Sequence, residues 1–190
     1  MNLNIDDISK INLISDTHYK LSESAYDAMR GDFSADQIYD ESLFGSAYFM
    51  KIRRELDAKT PDLIIHAGDI GSQNVIDKLE GICPVVAVSG NCDFESYKTL
   101  RGWTEDLEFF KFADINIVVG HRPYQVESYC DEADLIVHGH THESHISPLD
   151  NGHLFICPGS ATMGRYGTPN SIASVYVMDK TIIFAELISV

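Results

Sequence analysis

Short apolar runs that break off into polar residues recur along the chain. Ile11-Asn-Leu-Ile-Ser leads into Asp16-Thr-His18, Asp62-Leu-Ile-Ile-His-Ala into Gly68-Asp69, and Pro84-Val-Val-Ala-Val-Ser into Gly90-Asn91-Cys92-Asp93. Farther on, Ile115-Asn-Ile-Val-Val leads into Gly120-His121, and Asp134-Leu-Ile-Val into His138-Gly-His-Thr-His142. Runs of this length that are nearly continuous in apolar character predict strands buried on both faces. Helical spacing separates them: Phe44, Tyr48, Ile52 and Leu56 recur every four residues, and Val75, Ile76 and Leu79 follow Ser72, a residue suited to cap a helix. After residue 142 the pattern turns strand-rich, with Leu154–Cys157, Ala173–Met178 and a run from Thr181, and hairpin turns are expected at Asp150-Asn-Gly152 and Met178-Asp-Lys180. No repeat and no linker interrupts this order. A single α/β domain over 1–190 is expected.

Composition narrows the function classes. The 190 residues are 44% hydrophobic and 23% charged, as in a folded globular chain. Every apolar run is strand-sized, too short to span a membrane, and the acidic N-terminal stretch lacks a signal peptide's core, so a cytoplasmic location is expected. The four cysteines (Cys83, Cys92, Cys130 and Cys157) form no C-x-x-C pair, in keeping with free thiols in a reducing compartment. A formal net charge of −15 repels long nucleic acid. If the chain handles phosphate, the local positive charge has to come from bound metal.

The polar residues that end the strands supply such a site. Asp16, His18, Asp69, Asn91, His121, His140 and His142 offer imidazole, carboxylate and amide donors, a set that fits Mn2+, Fe, Zn2+ or Ni2+. Two side chains at i and i+2, as in Asp16/His18 and His140/His142, can face one ion. Seven donors exceed what one ion needs and fit two. Two dications against the carboxylates of Asp16 and Asp69 leave a net positive pocket, able to attract a phosphate ester and to activate a water for in-line attack.

In order along the chain, Asp16-Thr-His18, Gly68-Asp69, Gly90-Asn91-Cys92-Asp93, Gly120-His121 and Gly139-His-Thr-His142 resemble the five signature blocks of the calcineurin-like metallophosphoesterase superfamily. The chain's compact size and its third block resemble the small YfcE-type phosphodiesterase branch. The resemblance implies a four-layer αββα sandwich with two mixed sheets flanked by helices. It also implies two divalent ions, Mn2+ foremost, with Asp69 bridging, Asp16, His18 and His142 serving one ion, and Asn91, His121 and His140 the other.

The sequence also departs from the family. Many relatives carry His where Cys92 stands, and a neutral thiol is a poor proton donor at pH 7. The expected reaction is therefore metal-assisted hydrolysis of a small-molecule phosphodiester with an acidic leaving group, by metal-activated hydroxide. Asp93 is expected to orient water or a ligand, or to cap its turn. Cys157-Pro-Gly-Ser160 resembles the family's Asn-Pro-Gly-Ser turn, and Arg165 beyond it can reach a substrate phosphate, with Cys92 as a second pocket residue. Residues 20–46 read as an insertion, either a lid or a homo-oligomer contact. His66 reads as a packed strand histidine, His138 as another or as a group on the face of His140 that supports that ligand, His145 and His153 as solvent-exposed, and Trp103 with Phe109-Phe110 as core or subunit contact. Two alternative functions stay open: a protein-binding scaffold of the same fold, as in the superfamily's retromer member, and a phosphomonoesterase or protein phosphatase.

Overall fold

The computed structural model describes residues 4–32, 54–93 and 106–190. Among these, ten strands form two five-stranded sheets. The first sheet is ordered β10-β9-β1-β2-β3 and consists of β1 (Ser9–Ile14), β2 (Leu63–His66), β3 (Val85–Ala87), β9 (Ser171–Met178) and β10 (Thr181–Ser189). The second is ordered β4-β5-β6-β8-β7 and consists of β4 (Leu107–Phe112), β5 (Ile115–Gly120), β6 (Leu135–Val137), β7 (His145–Pro148) and β8 (Leu154–Cys157). Both sheets are mixed. β1, β2 and β3 run parallel, as do β5, β6 and β8, while β9, β10, β4 and β7 pair antiparallel at the flanks.

Alternating side chains place the core between the sheets. Ile11 and Leu13, Leu63 and Ile65, and Val175 and Val177 from one sheet meet Ile117, Val119, Leu135, Val137 and Ile156 from the other. On the outer face of the first sheet, Ile14 and Ile64 pack under helices α1 (Glu23–Arg30) and α2 (Gln73–Glu80), which contribute Ala25, Met29, Val75, Ile76 and Leu79. Across the molecule, Val118 and Ile136 pack against Val126 of the short helix α3 (Pro123–Val126). The result is the expected αββα layering. Runs such as Leu63–His66 lack alternation because helices and the partner sheet cover both faces.

The helix ends follow capping chemistry. Ser22 and Ser72 each accept a backbone N–H of the helix they open, and Gly31, at φ 86°, closes α1 in a left-handed turn. The two-residue turn between β9 and β10 places both Asp179 (φ 49°) and Lys180 (φ 65°) in the left-handed region, as the twist of a tight hairpin demands. Of the helix spaced on Phe44, Tyr48, Ile52 and Leu56, only 54–58 lie within the described residues; they are helical, with Leu56 buried. Most of the 20–46 segment and Trp103 lie outside the described residues, whereas α1 belongs to the outer core of the first sheet. Phe110 packs on the inter-sheet core, and Phe109, beside it in β4, is exposed.

Candidate metal centre

The expected ligands meet at the carboxyl ends of the parallel strands, spanning both sheets. Asp16 and His18 follow β1, Asp69 follows β2, and Asn91 follows β3; His121 follows β5, while His140 and His142 follow β6. One potential ligand atom from each of Asp16, His18 and His142 lies within 4.8 Å of the others, and the same holds for Asp16, Asp69 and His121. His18, Asp69 and Cys92 form a further group. Asp69 thus neighbours both His18 and His121. His140 packs edge-on against His121, with ring centroids 5.1 Å apart.

Backbone strain concentrates here. Asp16 (φ 51°), His18 (43°), Asp69 (55°), His140 (68°) and His142 (60°) are all left-handed, a conformation that costs a non-glycine residue on the order of 1 kcal/mol or more. Neighbouring glycines permit the close approach. A Cβ on Gly90 would lie 2.1 Å from the Asp69 backbone nitrogen and Oδ1, and one on Gly139 would lie 2.8 Å from Asp16 Oδ2.

Hydrogen bonding fixes which atoms face the centre. The Ala67 carbonyl, 2.8 Å from His121 Nδ1, can only accept, so Nδ1 carries the hydrogen and a neutral ring turns its Nε2 lone pair inward. That lone pair faces Asn91 Oδ1 at 3.1 Å and Asp69 Oδ1 at 3.4 Å. The Met163 carbonyl holds His142 Nδ1 at 2.6 Å in the same way, leaving Nε2 facing Asp16 Oδ1 at 3.1 Å and His18 Nε2 at 3.2 Å. Asp16 is fully buried; its Oδ2 accepts the His140 N–H at 3.0 Å, whereas Oδ1 has no hydrogen bond. Acceptor facing acceptor at such distances is relieved either by a cation shared between the groups or by a proton on the ring. Histidines whose far N–H is fixed by a carbonyl are the arrangement that metal ligands adopt.

Without that cation, protons have to serve. Burial opposes the charge on His121, but the Asp69 carboxylate and the Ala67 carbonyl outweigh it and raise the pKa. The Asp16 carboxylate raises that of His142 against burial. Asp69 is held well below the usual carboxylate range: burial works against its charge, and the His121 ring and the Cys92 N–H, at 2.7 Å, prevail. Burial, with His121 adding to it, lowers His140.

The remaining expected residues divide. Cys92 lies beside Asp69, and burial followed by that carboxylate pushes its thiol up to about 11. Asp93 turns both oxygens onto the backbone, accepting the N–H of Gly71 at 2.7 Å, of Gly90 at 2.8 Å and of Ile70 at 3.2 Å. This is the turn-capping arrangement. Arg165 is exposed; its N–H donates to the His142 carbonyl at 3.3 Å, and its charge opposes protonation of that ring. Arg122 and Tyr124 escaped notice in the sequence. With Asn91, His121 and Gln125 they line a cavity of about 320 Å3, in the size range of small-ligand pockets. An arginine adjoining a ligand histidine in so acidic a chain was the available signal.

His66 is packed, as expected, whereas His145 and His153 are half-buried rather than solvent-exposed. His66 Nε2 lies 3.0 Å from Thr17 Oγ1, whose hydroxyl donates to the Ile70 carbonyl. Burial pushes both His66 and His138 down to about 4, against the pull of nearby carboxylates. The unfolded chain takes up these protons below about pH 6.5, whereas the fold admits them only near 4, so stability is lost as the pH falls through that window. Each ring is expected to contribute a loss of about 2 kcal/mol between pH 7 and pH 5, read by urea unfolding in a chelator as the difference between wild type and a variant lacking that ring. The difference is the measure because His121 and His142, with raised pKa values, act in the opposite direction. A pH profile that does not change when the ring is removed would refute the neutral, buried assignment.

Comparison with known proteins places this geometry. The family described as the calcineurin-like phosphoesterase superfamily domain matches residues 10–180. The chain belongs to the calcineurin-like phosphoesterase superfamily. A "probable metallophosphoesterase" of Methanothermobacter thermautotrophicus is 33% identical over 114 residues, 57% of this chain and 66% of its own length, so the chain spans just under two thirds of that relative. Yfce, a phosphoesterase from Escherichia coli, matches 93% of this chain and 98% of its own at 18% identity, with a TM-score of 0.55. Vacuolar protein sorting 29 from Cryptosporidium parvum matches 97% of this chain and 100% of its own at 18% identity, with a TM-score of 0.61. At such identities the last two share the calcineurin-like fold alone. Among the described residues no helix is long and apolar enough to cross a membrane.

Proposed function

We propose that the chain is a phosphoesterase that binds two divalent ions, Mn2+ by preference, and hydrolyses a small-molecule phosphodiester. The observation that carries this reading is the convergence of lone pairs: His121 Nε2 on Asn91 Oδ1 and Asp69 Oδ1, and His142 Nε2 on the orphaned, buried Asp16 Oδ1. Asp16, His18 and His142 would hold one ion, Asn91, His121 and His140 the other, and Asp69 both. Bound metal supplies Lewis acidity toward phosphate oxygens and lowers the pKa of water. The protein's share is positioning. Asp16 and Asp69 set the charge of the pocket, and the carbonyls of Ala67 and Met163 fix the imidazoles. Arg165 would steady a phosphate oxygen, while the cavity beside Arg122 and Tyr124 receives one ester substituent.

Leaving-group chemistry favours diesters. A Cys92 thiol with its pKa near 11 gives up a proton poorly at neutral pH, so the departing group has to leave unassisted as an acidic alcohol or phenol. Turnover of bis(p-nitrophenyl) phosphate is expected with Mn2+, to vanish with a chelator and to return on metal addition. Cys92→His is expected to raise turnover of an alkyl diester about tenfold or more while changing the nitrophenyl diester little. An unchanged leaving-group profile refutes the role given to Cys92. No turnover of any mono- or diester by fully metallated protein overturns the enzyme reading in favour of a scaffold, and a faster rate on monoesters than on diesters overturns the diester assignment.

A further inference from the structure

A second set of ligands lies on the outer face of the second sheet. Leu135, Val137, Ile146, Leu154 and Ile156 point into the core between the sheets. Alternation therefore sends His138, His145 and Cys157 to the opposite side. Register brings them level: Val137 pairs with Ile156 in the parallel β6–β8 ladder, the next N–H, that of His138, donates to the Ile156 carbonyl, and His145 pairs directly with Cys157 across β7–β8. The three form a row across three adjacent strands. One potential ligand atom from each lies within 4.8 Å of the other two, and the imidazole centroids are 5.2 Å apart. Phe155, on the same face, packs against both rings, at 4.9 Å from His138 and 6.1 Å from His145.

Polar accounting points to a missing ligand. His138 is 1% exposed, its Nδ1–H donates to the Gly139 carbonyl at 2.9 Å, and its Nε2 has no hydrogen-bond partner. An unsatisfied buried acceptor is costly, on the order of 1–3 kcal/mol. His145 Nδ1–H likewise donates to the Glu143 carbonyl, at 3.2 Å, leaving Nε2 as its lone-pair nitrogen. Both rings have the carbonyl-fixed orientation of metal-ligating histidines. Cys157 is fully buried, with Thr141 Oγ1 3.5 Å from its sulfur.

We propose that His138, His145 and Cys157 bind one thiophilic divalent ion, Zn2+ by ligand chemistry, at a mononuclear site separate from the paired centre. Two imidazoles and a thiolate form a tetrahedral zinc set with its fourth position open to water. Zinc bonds of about 2.0–2.3 Å put neighbouring donors roughly 3.3–3.8 Å apart, so the cluster has only to tighten by small side-chain rotations. This site draws on neither Asp16 nor Asp69 and stands whether or not the chain hydrolyses phosphodiesters.

Cobalt titration of the full metal-free chain tests it. Wild-type protein and Cys92→Ser are expected to develop a thiolate-to-cobalt charge-transfer band with the strong visible absorption of a tetrahedral ion. In Cys157→Ser the band disappears while the other cobalt ions still bind, and in His145→Ala its cobalt affinity falls about tenfold or more. Elemental analysis after zinc loading should find one ion fewer per chain in Cys157→Ser. Should that variant not fold, His145→Ala, at a half-buried position, carries the comparison. A wild-type protein without the band, or a band that survives Cys157→Ser and is lost in Cys92→Ser, overturns the proposal.

Discussion

Asp69→Asn is expected to lower turnover of an activated phosphodiester by about a thousand-fold or more, equivalent to about 4 kcal/mol, and to lower the melting temperature without unfolding the chain, because the ionised carboxylate itself stabilises the fold. Asparagine keeps an oxygen able to accept the Cys92 N–H that Asp69 holds at 2.7 Å, so the loops after β2 and β3 stay in register. What disappears is charge. Asp69 and Asp16 are the two carboxylates of the centre, and losing one raises the net charge left by two dications from +2 to about +3, which weakens metal binding. His121, whose pKa Asp69 raises across 3.4 Å, loses that support and moves toward the neutral form. Steady-state kinetics, elemental analysis and a thermal melt on one preparation separate these effects. Activity within tenfold of wild type, with two ions still bound, would refute the proposed bridging role of Asp69.

The fold was legible where burial is complete. β1, β2, β5 and β6 are covered on both faces, so their apolar runs are nearly continuous and the polar residues that end them stand out. β4 and β7 escaped notice because both lie at the edges of the second sheet. Leu107–Phe112 exposes Phe109 and Lys111 to solvent, and His145–Pro148 ends in a proline, which only an edge tolerates. Helix α1 was hidden in a stretch read as an insertion, since its buried face is made of Ala25, Ala28 and Met29 and leaves a weak pattern.

Of the candidate site, residue identities were visible and their conformations were not. Glycine before Asp69, Asn91, His121 and His140 marks places where backbones crowd, and the 2.1 Å approach at Gly90 bears that meaning out. The left-handed backbones of Asp16, His18, Asp69, His140 and His142 carry no composition signal of their own, because tertiary contacts impose them. Nor could spacing along the chain disclose that His145 lies opposite Cys157. That pairing is a property of sheet register.

Asp93→Ala is expected to destabilise the protein by about 3 kcal/mol, or roughly 6–12 °C in Tm, and to weaken metal binding ten- to a hundred-fold. The Asp93 carboxylate accepts N–H groups from Ile70 and Gly71 in the loop after β2 and from Gly90 in the loop after β3. It therefore ties the segment that carries Asp69 to the one that carries Asn91. Alanine leaves three donors without their acceptor and lets the Gly90 turn move off Asp69, which displaces two proposed ligands, Asp69 and Asn91, at once. Asparagine retains one acceptor oxygen and is expected to recover about half of the lost stability. Saturating Mn2+ should restore most of the alanine variant's kcat, since the defect lies in holding the metal, and the pH profile of the restored activity should match wild type. An alanine variant that melts with wild type and stays inactive at saturating metal would instead place Asp93 against the substrate, as a catalytic group.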